Sequence, residues 1–532
     1  MTAAANANGI AARARSWLER HGVPALVVVA YVSVFPYSPA INSPNENVRV
    51  YMTRALVEHH ELAINRIEAE WGWVNDKAKN GTRVFSGKAP GVSLLGVPVL
   101  AAQTWLWHRL GWPSPTQLAT TLALRLFGVI LPMCGFLWIF CGYLRRVVGS
   151  PGFADLLFAG VALGSLIYPY GIHFVGHSLA AATSFGAFMA LVPDRELTSS
   201  RSRIAVAGLL AGLGVLFEYQ NLLVAALLAG YVAVRRPRLL FWFAAGALPA
   251  AIALGVYQEL CFGSPWAFPY AHLENAMFQT EHHAKGFHGL SLPQARNVLS
   301  VLFLPGFGLF ANSPFLLIAA VALGWAVVRG PRAEALLCAA VTVLLVTFIG
   351  GLSNWRGGWS VGPRYIAAVV PFLTVGLAYV WPALSATRFA RPSLALTAGL
   401  VAVGVLFNTS PAILYPQYPP QLRNPTFQLL LPLPAEGYVP YSLGYALGLR
   451  GLSSLVPTLL AVVGALALAF RSACGWPKDR RRALKVILGA VLIFACVTGA
   501  FALYARALSL GERTAIKLVK DTWTPRPPRS SQ

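Results

Sequence analysis

Asn42-Ser-Pro-Asn-Glu-Asn-Val-Arg-Val-Tyr51 follows directly on the first apolar run of the chain and opens a polar stretch that extends to Leu95. Six of the 19 acidic residues sit in that stretch: Glu46, Glu58, Glu61, Glu68, Glu70 and Asp76. The sequence on either side is nearly all hydrocarbon. A carboxylate-rich loop set between apolar helices calls for a chemical reason, and the contrast points to an all-α polytopic membrane protein whose polar groups crowd one face.

Composition agrees. The 532 residues are 56% hydrophobic and only 11% charged, against about 25% charged in soluble proteins. Apolar runs predict about 13 transmembrane helices, near 24–40, 118–143, 152–170, 177–193, 204–217, 221–234, 239–258, 314–329, 333–351, 365–383, 393–408, 455–470 and 484–506. No small-residue cleavage site in a polar stretch follows Val23 to Ala40, which reads as a retained first helix. The net charge of +23 fits Lys and Arg gathered in cytoplasmic loops and meeting anionic membrane lipids better than it fits nucleic acid. The six cysteines form no CxxC and imply neither a disulfide framework nor a cysteine metal site.

The basic clusters at Arg145/Arg146, Arg195–Arg203, Arg235–Arg238, Arg329/Arg332, Arg388/Arg391 and Arg471–Arg482 fall on one side together if the N-terminus is cytoplasmic. That parity makes Gly91 to Trp107 an interfacial or half-embedded helix within a large first outer loop, 41–112, rather than a crossing. The outer segments are then 41–112, 171–176, 218–221, 259–313, 352–364 and 409–454. Pro411 to Pro440 carries eight prolines and reads as an irregular, lid-like loop. The tail ends in Pro-Arg-Pro-Pro-Arg, a composition that does not favour order.

Several outer residues are suited to chemistry. Glu46, next to an uncharged approach, is a candidate proton acceptor, with Arg49 and Tyr51 close behind it. Asp76 in Asn-Asp-Lys is a second carboxylate and Lys88 in Gly-Lys-Ala-Pro-Gly a phosphate contact; a turn residue and a snorkelling interfacial lysine are the alternatives. His173 and His177, four apart, share a helix face, and no acid completes a zinc motif with them. Glu218, followed by Tyr219, is the most membrane-buried acid, and such acids usually carry function. Arg364, in Asn-Trp-Arg-Gly-Gly-Trp-Ser-Val-Gly-Pro-Arg-Tyr with Trp355 and Tyr365, stands at the outer start of an apolar helix, where its planar fork suits a lipid phosphate. Glu58-His-His-Glu61 and Glu281-His-His283 put neighbours on different helix faces and read as solvated, so no metal site is assigned.

One helix, then Pro-Asn-Glu-Asn-x-Arg-x-Tyr, then Lys88-Ala-Pro-Gly91 opening an apolar segment resembles the GT-C superfamily. The pattern is most similar to lipid A aminoarabinose transferases and protein O-mannosyltransferases. The likeness covers the layout of the first 260 residues and the 354–365 motif. It implies a GT-C-like fold and an inverting glycosyltransferase that takes sugar from a polyprenyl-phosphate donor at the periplasmic face of a bacterial inner membrane. The catalytic residues would be Glu46 and Asp76, the donor phosphate would lie on Lys88, Arg364 and Arg49, and the pocket would include Tyr51, His173, His177, Glu218, Tyr219, Trp355 and Tyr365. This chain has Asn45 where the family's Asp-Glu pair begins, and His173 to His177 where relatives often carry an Asp. The acceptor (glycan, lipid or protein) is not specified, and a divalent metal is left open.

The expected division is a catalytic module over 1–260, a variable membrane module over 261–506 and a tail over 507–532. The competing reading is a transporter or lipid flippase, which predicts paired broken helices and charges deep in several spans. Here buried charge is nearly confined to Glu218 and Arg125.

Overall fold

The computed structural model describes residues 2–38, 42–192, 200–283, 286, 288–476 and 479–523. After α1 (Thr2–Val32) come α2 (Pro44–His59), the hairpin β1 (Lys77–Asn80) and β2 (Arg83–Ser86), α3 (Gly91–Arg109) and the long α4 (Gln117–Val148). The middle of the chain forms α5 (Pro151–Leu163), α6 (His177–Leu191), α7 (Arg201–Phe217), α8 (Leu222–Arg235), α9 (Leu240–Phe262) and the short α10 (Ala276–His283). The remainder supplies α11 (Phe315–Arg329), α12 (Arg332–Gly351), α13 (Val369–Leu384), α14 (Ala390–Ile413), α15 (Val456–Ala473), α16 (Arg480–Ala505) and α17 (Leu510–Thr522).

The thirteen apolar stretches fall on α1, α4 to α9 and α11 to α16. Among the described residues six helices are long and apolar enough to cross a bilayer (α4, α9, α12, α14, α15 and α16), while α5, α6, α8, α11 and α13 are apolar and shorter. The shortest of these explains itself by position. Every residue from Gly152 to Leu163 of α5 is buried, because the helix runs through the centre against α4, α14 and α15. Apart from Asp155 near its start, the helix is apolar all round and shows no amphipathic stripe. Helices α7 and α9 approach so closely that a Cβ on Gly208 or Gly246 would strike the other's backbone carbonyl, the small-residue packing that membrane helices use.

The chain folds so that its polar segments and its basic clusters go to opposite ends. At one end Arg145 pairs with Asp155 at 2.7 Å and donates to the carbonyl of Arg20, and Arg203 bonds the carbonyls closing α6. At the other end the links after α1, α5, α7, α9, α12 and α14 converge. Phe174 meets Glu46, Glu218 meets Arg49, and Ala78 bridges to Leu273. The interruption expected at 218–221 is present: α7 stops at Phe217, Glu218 is extended, and a single 3-10 turn leads into α8.

The hairpin and the last helix are among the elements not anticipated from the sequence. The β-hairpin closes on the two-residue loop Gly81-Thr82, with Gly81 at φ 60°, the geometry of a loop whose first residue is glycine. The expected tail at 507–532 contributes α17, whose Glu512 accepts from Arg423 at 2.8 Å and from Gln428 at 2.8 Å. The Pro-Arg-Pro-Pro-Arg end lies outside the described residues. As for Gly91–Trp107, α3 packs on α2 and antiparallel to the first turns of α4, with Gln103 donating to Ala119 and Gly96 facing Leu124. At 32 residues, α4 is about 48 Å long and exceeds the roughly 30 Å hydrocarbon thickness, so its first turns supply a wall for α3.

Candidate active site

The hairpin decides the geometry of the site. Its register pairs Lys77 with Ser86, and Gly87 N donates to Asp76 O at 3.0 Å just beyond it. Residue 76 is therefore opposite residue 87, and Lys88 Nζ reaches Asp76 Oδ2 at 3.2 Å. Buried Lys77 ties the hairpin down through Glu68 and, at 2.9 Å, Glu274.

Asp76 and Lys88 line a cavity of about 450 Å³ together with Asn42, Asn45, Asn75, Tyr270, Asn354, Trp359, Arg364, Tyr365, Tyr415 and Gln417. Arg364 enters from the link between α12 and α13. Among the described residues it forms no ion pair, and its buried Nε has no hydrogen-bond partner. Gly357 makes room for it: φ is 72°, and a Cβ there would sit 3.1 Å from Arg364 Nε and 2.9 Å from the Tyr365 ring. Beside this polar chamber lies an apolar groove of about 250 Å³ between α8 and α12, lined by Leu222, Leu223, Phe348, Ile349 and Leu352 with Tyr219 and Phe268 at its rim. Tyr270, Asn354 and Tyr365 border both spaces.

Other residues singled out in the sequence are brought close but lie behind the chamber wall. Pro44 starts α2 at a position where its missing N–H costs nothing. Glu46 in the first turn is 0% exposed; Arg125 of α4 grips it with Nε at 2.6 Å and Nη2 at 2.5 Å. Phe174 N at 2.7 Å and Asn42 Nδ2 at 3.1 Å satisfy its remaining lone pairs. Burial alone would push the Glu46 carboxyl up, but Arg125, with help from His173, holds it well below the usual carboxylate range. Burial, and then Arg125, lowers the His173 imidazole, whose Nδ1 stands 3.6 Å from Glu46. The structure thus places Glu46 in a closed ion pair with Arg125, and it does not line the chamber.

A second buried pair lies one turn along α2. Arg49 donates to Glu218 at 3.1 Å, to Asn45 Oδ1 at 3.0 Å and to the carbonyl of Ala89 at 2.9 Å. Burial raises the Glu218 carboxyl, with Arg49 pulling the other way. His177 Nδ1 lies 3.4 Å from Glu218. All of Arg49's reach is spent inside the protein, so it positions the Lys88-Ala89-Pro90 turn and does not face the cavity. Tyr51 donates to the carbonyls of Trp71 and Gly72, and Trp355 packs edge-on against Phe307; neither lines the cavity.

Sequence reasoning did not single out Asn75, Asn354, Tyr270, Trp359, Tyr415 or Gln417. Asn354 and Trp359 stand inside the Arg364 motif, and Tyr415 and Gln417 inside the proline-rich loop, so composition flagged the segments without distinguishing the residues. Among the described residues no three His, Cys, Asp or Glu groups come together as metal ligands. His282 and His283 fall where side chains are outside the described set, while Glu58 pairs with Arg54.

No family model and no curated protein matches the chain. Among solved structures it is similar to ArnT from Cupriavidus metallidurans in the apo state, at 16% identity over 92% of this chain and 78% of that one, with a TM-score of 0.45. The same protein bound to undecaprenyl phosphate aligns at 15% identity over the same 92% and 78%, with a TM-score of 0.44. The archaeal oligosaccharyltransferase AglB from Archaeoglobus fulgidus, in complex with an inhibitory peptide and a dolichol-phosphate, aligns at 13% identity over 76% of this chain and 57% of that one, with a TM-score of 0.40. ArnT and AglB are GT-C superfamily proteins. We assign roles below from this chain's own geometry.

Proposed function

We propose that the protein is an inverting glycosyltransferase that takes a sugar from a polyprenyl-phosphate donor. The observation that carries this reading is a pair of adjacent spaces: a polar chamber holding Asp76, Lys88 and an Arg364 without an ion pair among the described residues, and an apolar groove between α8 and α12 that shares Tyr270, Asn354 and Tyr365 with it. A prenyl chain suits the groove and its phosphate suits the two cations. The acceptor hydroxyl oxygen attacks the anomeric carbon, the bond from that carbon to the phosphate oxygen breaks with its electron pair, and the acceptor proton passes to Asp76. Lys88 and Arg364 stabilise the departing phosphate. Glu46 with Arg125, and Arg49 with Glu218, hold the frame on which these residues stand.

The chamber draws on both sides of the boundary expected at 260, taking Asp76 and Lys88 from one module and Asn354, Arg364 and Tyr365 from the other. The convergence of the polar links at the end away from the basic clusters supports a periplasmic site in a bacterial inner membrane, with the N-terminus cytoplasmic.

The test uses purified protein in nanodiscs with radiolabelled polyprenyl-phosphate sugars, comparing wild type, Asp76→Asn, Arg364→Ala and Glu46→Gln. Donor consumption that Asp76→Asn abolishes and folded Glu46→Gln retains supports the assignment. No consumption of any donor, with movement of lipid or solute across proteoliposomes, overturns it in favour of a transporter or flippase.

A further inference from the structure

Three carboxamides of the chamber wall have their orientation fixed by groups that can only donate. Asn45 Oδ1 accepts from Arg49 Nε at 3.0 Å and Asn354 Oδ1 from the backbone N–H of Gly357 at 3.0 Å. Asn75 Oδ1 accepts from Asn275 Nδ2 at 2.8 Å, and Asn275 is itself fixed because its Oδ1 accepts from Met277 N at 2.9 Å. Amide flips are assigned from such networks, and here each partner leaves one choice. In all three the oxygen is turned to its protein donor, so the NH2 group is the part with no partner among the described residues.

The chamber therefore offers hydrogen-bond donors: three NH2 groups, the Lys88 ammonium and the Arg364 guanidinium. Among the described residues its one carboxylate is Asp76, already 3.2 Å from Lys88. Trp359, Tyr270, Tyr365 and Tyr415 add aromatic faces. A sugar hydroxyl accepts as readily as it donates, so such a wall suits it. An ammonium has three N–H groups and no lone pair. In a chamber with two cations and one engaged carboxylate it would give up water to sit beside like charge, with only neutral acceptors such as Gln417 and the tyrosine hydroxyls to offset that.

Resting on the donor reading above, we infer that the transferred sugar carries hydroxyl groups and no free amino group, with Asn45, Asn75 and Asn354 setting that specificity. The inference concerns this chain's own amides and departs from the aminoarabinose transferases that its sequence resembles.

The experiment measures equilibrium binding of three probes to the full-length protein in nanodiscs: bare polyprenyl phosphate, polyprenyl-phosphate glucose and a polyprenyl-phosphate 4-amino-4-deoxypentose. The expected order is glucose tightest and amino sugar weakest, with at least about tenfold between them, the effect of one added positive charge brought beside Lys88 and Arg364. Asn354→Asp keeps an oxygen for Gly357 N and adds a carboxylate, and should narrow or reverse the gap between the two sugar donors, each taken relative to bare polyprenyl phosphate on the same variant. An amino-sugar probe that binds wild type as well as the glucose probe overturns the specificity and leaves the donor reading standing. If none of the three binds, the donor reading itself fails and takes this inference with it.

Discussion

Asp76 Oδ2 lies 3.2 Å from Lys88 Nζ, a contact made across the open end of a hairpin by residues twelve apart in sequence. On the proposed reading, a donor phosphate that draws Lys88 toward itself takes the counter-charge away from Asp76 as the acceptor gives up its proton. Asp76→Asn keeps the shape and removes the basicity. Its donor affinity should stay within about threefold of wild type, while single-turnover transfer falls by about 10²- to 10⁴-fold, the usual weight of a positioned general base. Parallel loss of both would make Asp76 merely the partner that holds Lys88.

Arg364 should behave in the opposite way. Its Nε is buried and unpartnered, which on the proposed reading leaves a donor for the lipid phosphate. Arg364→Ala should weaken binding of bare polyprenyl phosphate by roughly 10- to 100-fold, the weight of a charge-assisted hydrogen bond, and Arg364→Lys should recover part of it. Gly357→Ala should mimic the loss at smaller scale, because the added methyl presses on Arg364 Nε and the Tyr365 ring. Titration of the lipid phosphate against each variant in nanodiscs measures this.

The buried Glu46–Arg125 pair predicts an effect on stability. Replacing Glu46 by Gln leaves Arg125 buried without a counter-ion and should cost about 3–5 kcal/mol, read as lost resistance to thermal unfolding in detergent. The Glu46 carboxyl is held below its ordinary value in the folded protein, so its contribution is complete above the unfolded-state pKa of about 4.3. It declines as pH falls below that point toward the folded pKa. Wild type should show that acid-side loss, and Glu46→Gln should lack this component while being weaker at neutral pH. Molecules of Glu46→Gln that remain folded should keep at least about a tenth of wild-type turnover, an effect within the range expected of a distant structural change rather than of a lost base.

Hydropathy made the helices legible because burial in hydrocarbon demands long apolar runs whatever their partners are. Arg364 was legible for a related reason: a cation beside three glycines at the outer start of an apolar helix breaks the charge bias. The ion pair of Glu46 was not legible, since nothing local to it announces that Arg125, seventy-nine positions away, will be its partner. The hairpin was readable in hindsight from Gly81-Thr82 between Lys77-Ala-Lys-Asn80 and Arg83-Val-Phe-Ser86, but its short strands were lost in a loop dominated by charge. The amides of the chamber wall come from three separate segments, and only the fold makes them neighbours.

The apolar groove supplies the last prediction. Leu223 of α8 and Ile349 of α12 face the space between the helices, about 250 Å³ of largely hydrocarbon surface that a prenyl chain would fill. Each buried CH₂ is worth about 0.8 kcal/mol, so wild type should prefer a donor with a long prenyl chain over one with a five-carbon chain by well over tenfold in KM. Leu223→Trp fills the groove with side-chain volume and leaves Arg364, Lys88 and Asp76 untouched. It should raise KM for the long-chain donor toward that of the short one while leaving turnover of the short-chain donor near wild type. If the variant keeps the full chain-length preference, the tail takes another route and the groove has a different occupant. A proportional loss with both donors would instead trace the effect to disturbed packing between α8 and α12.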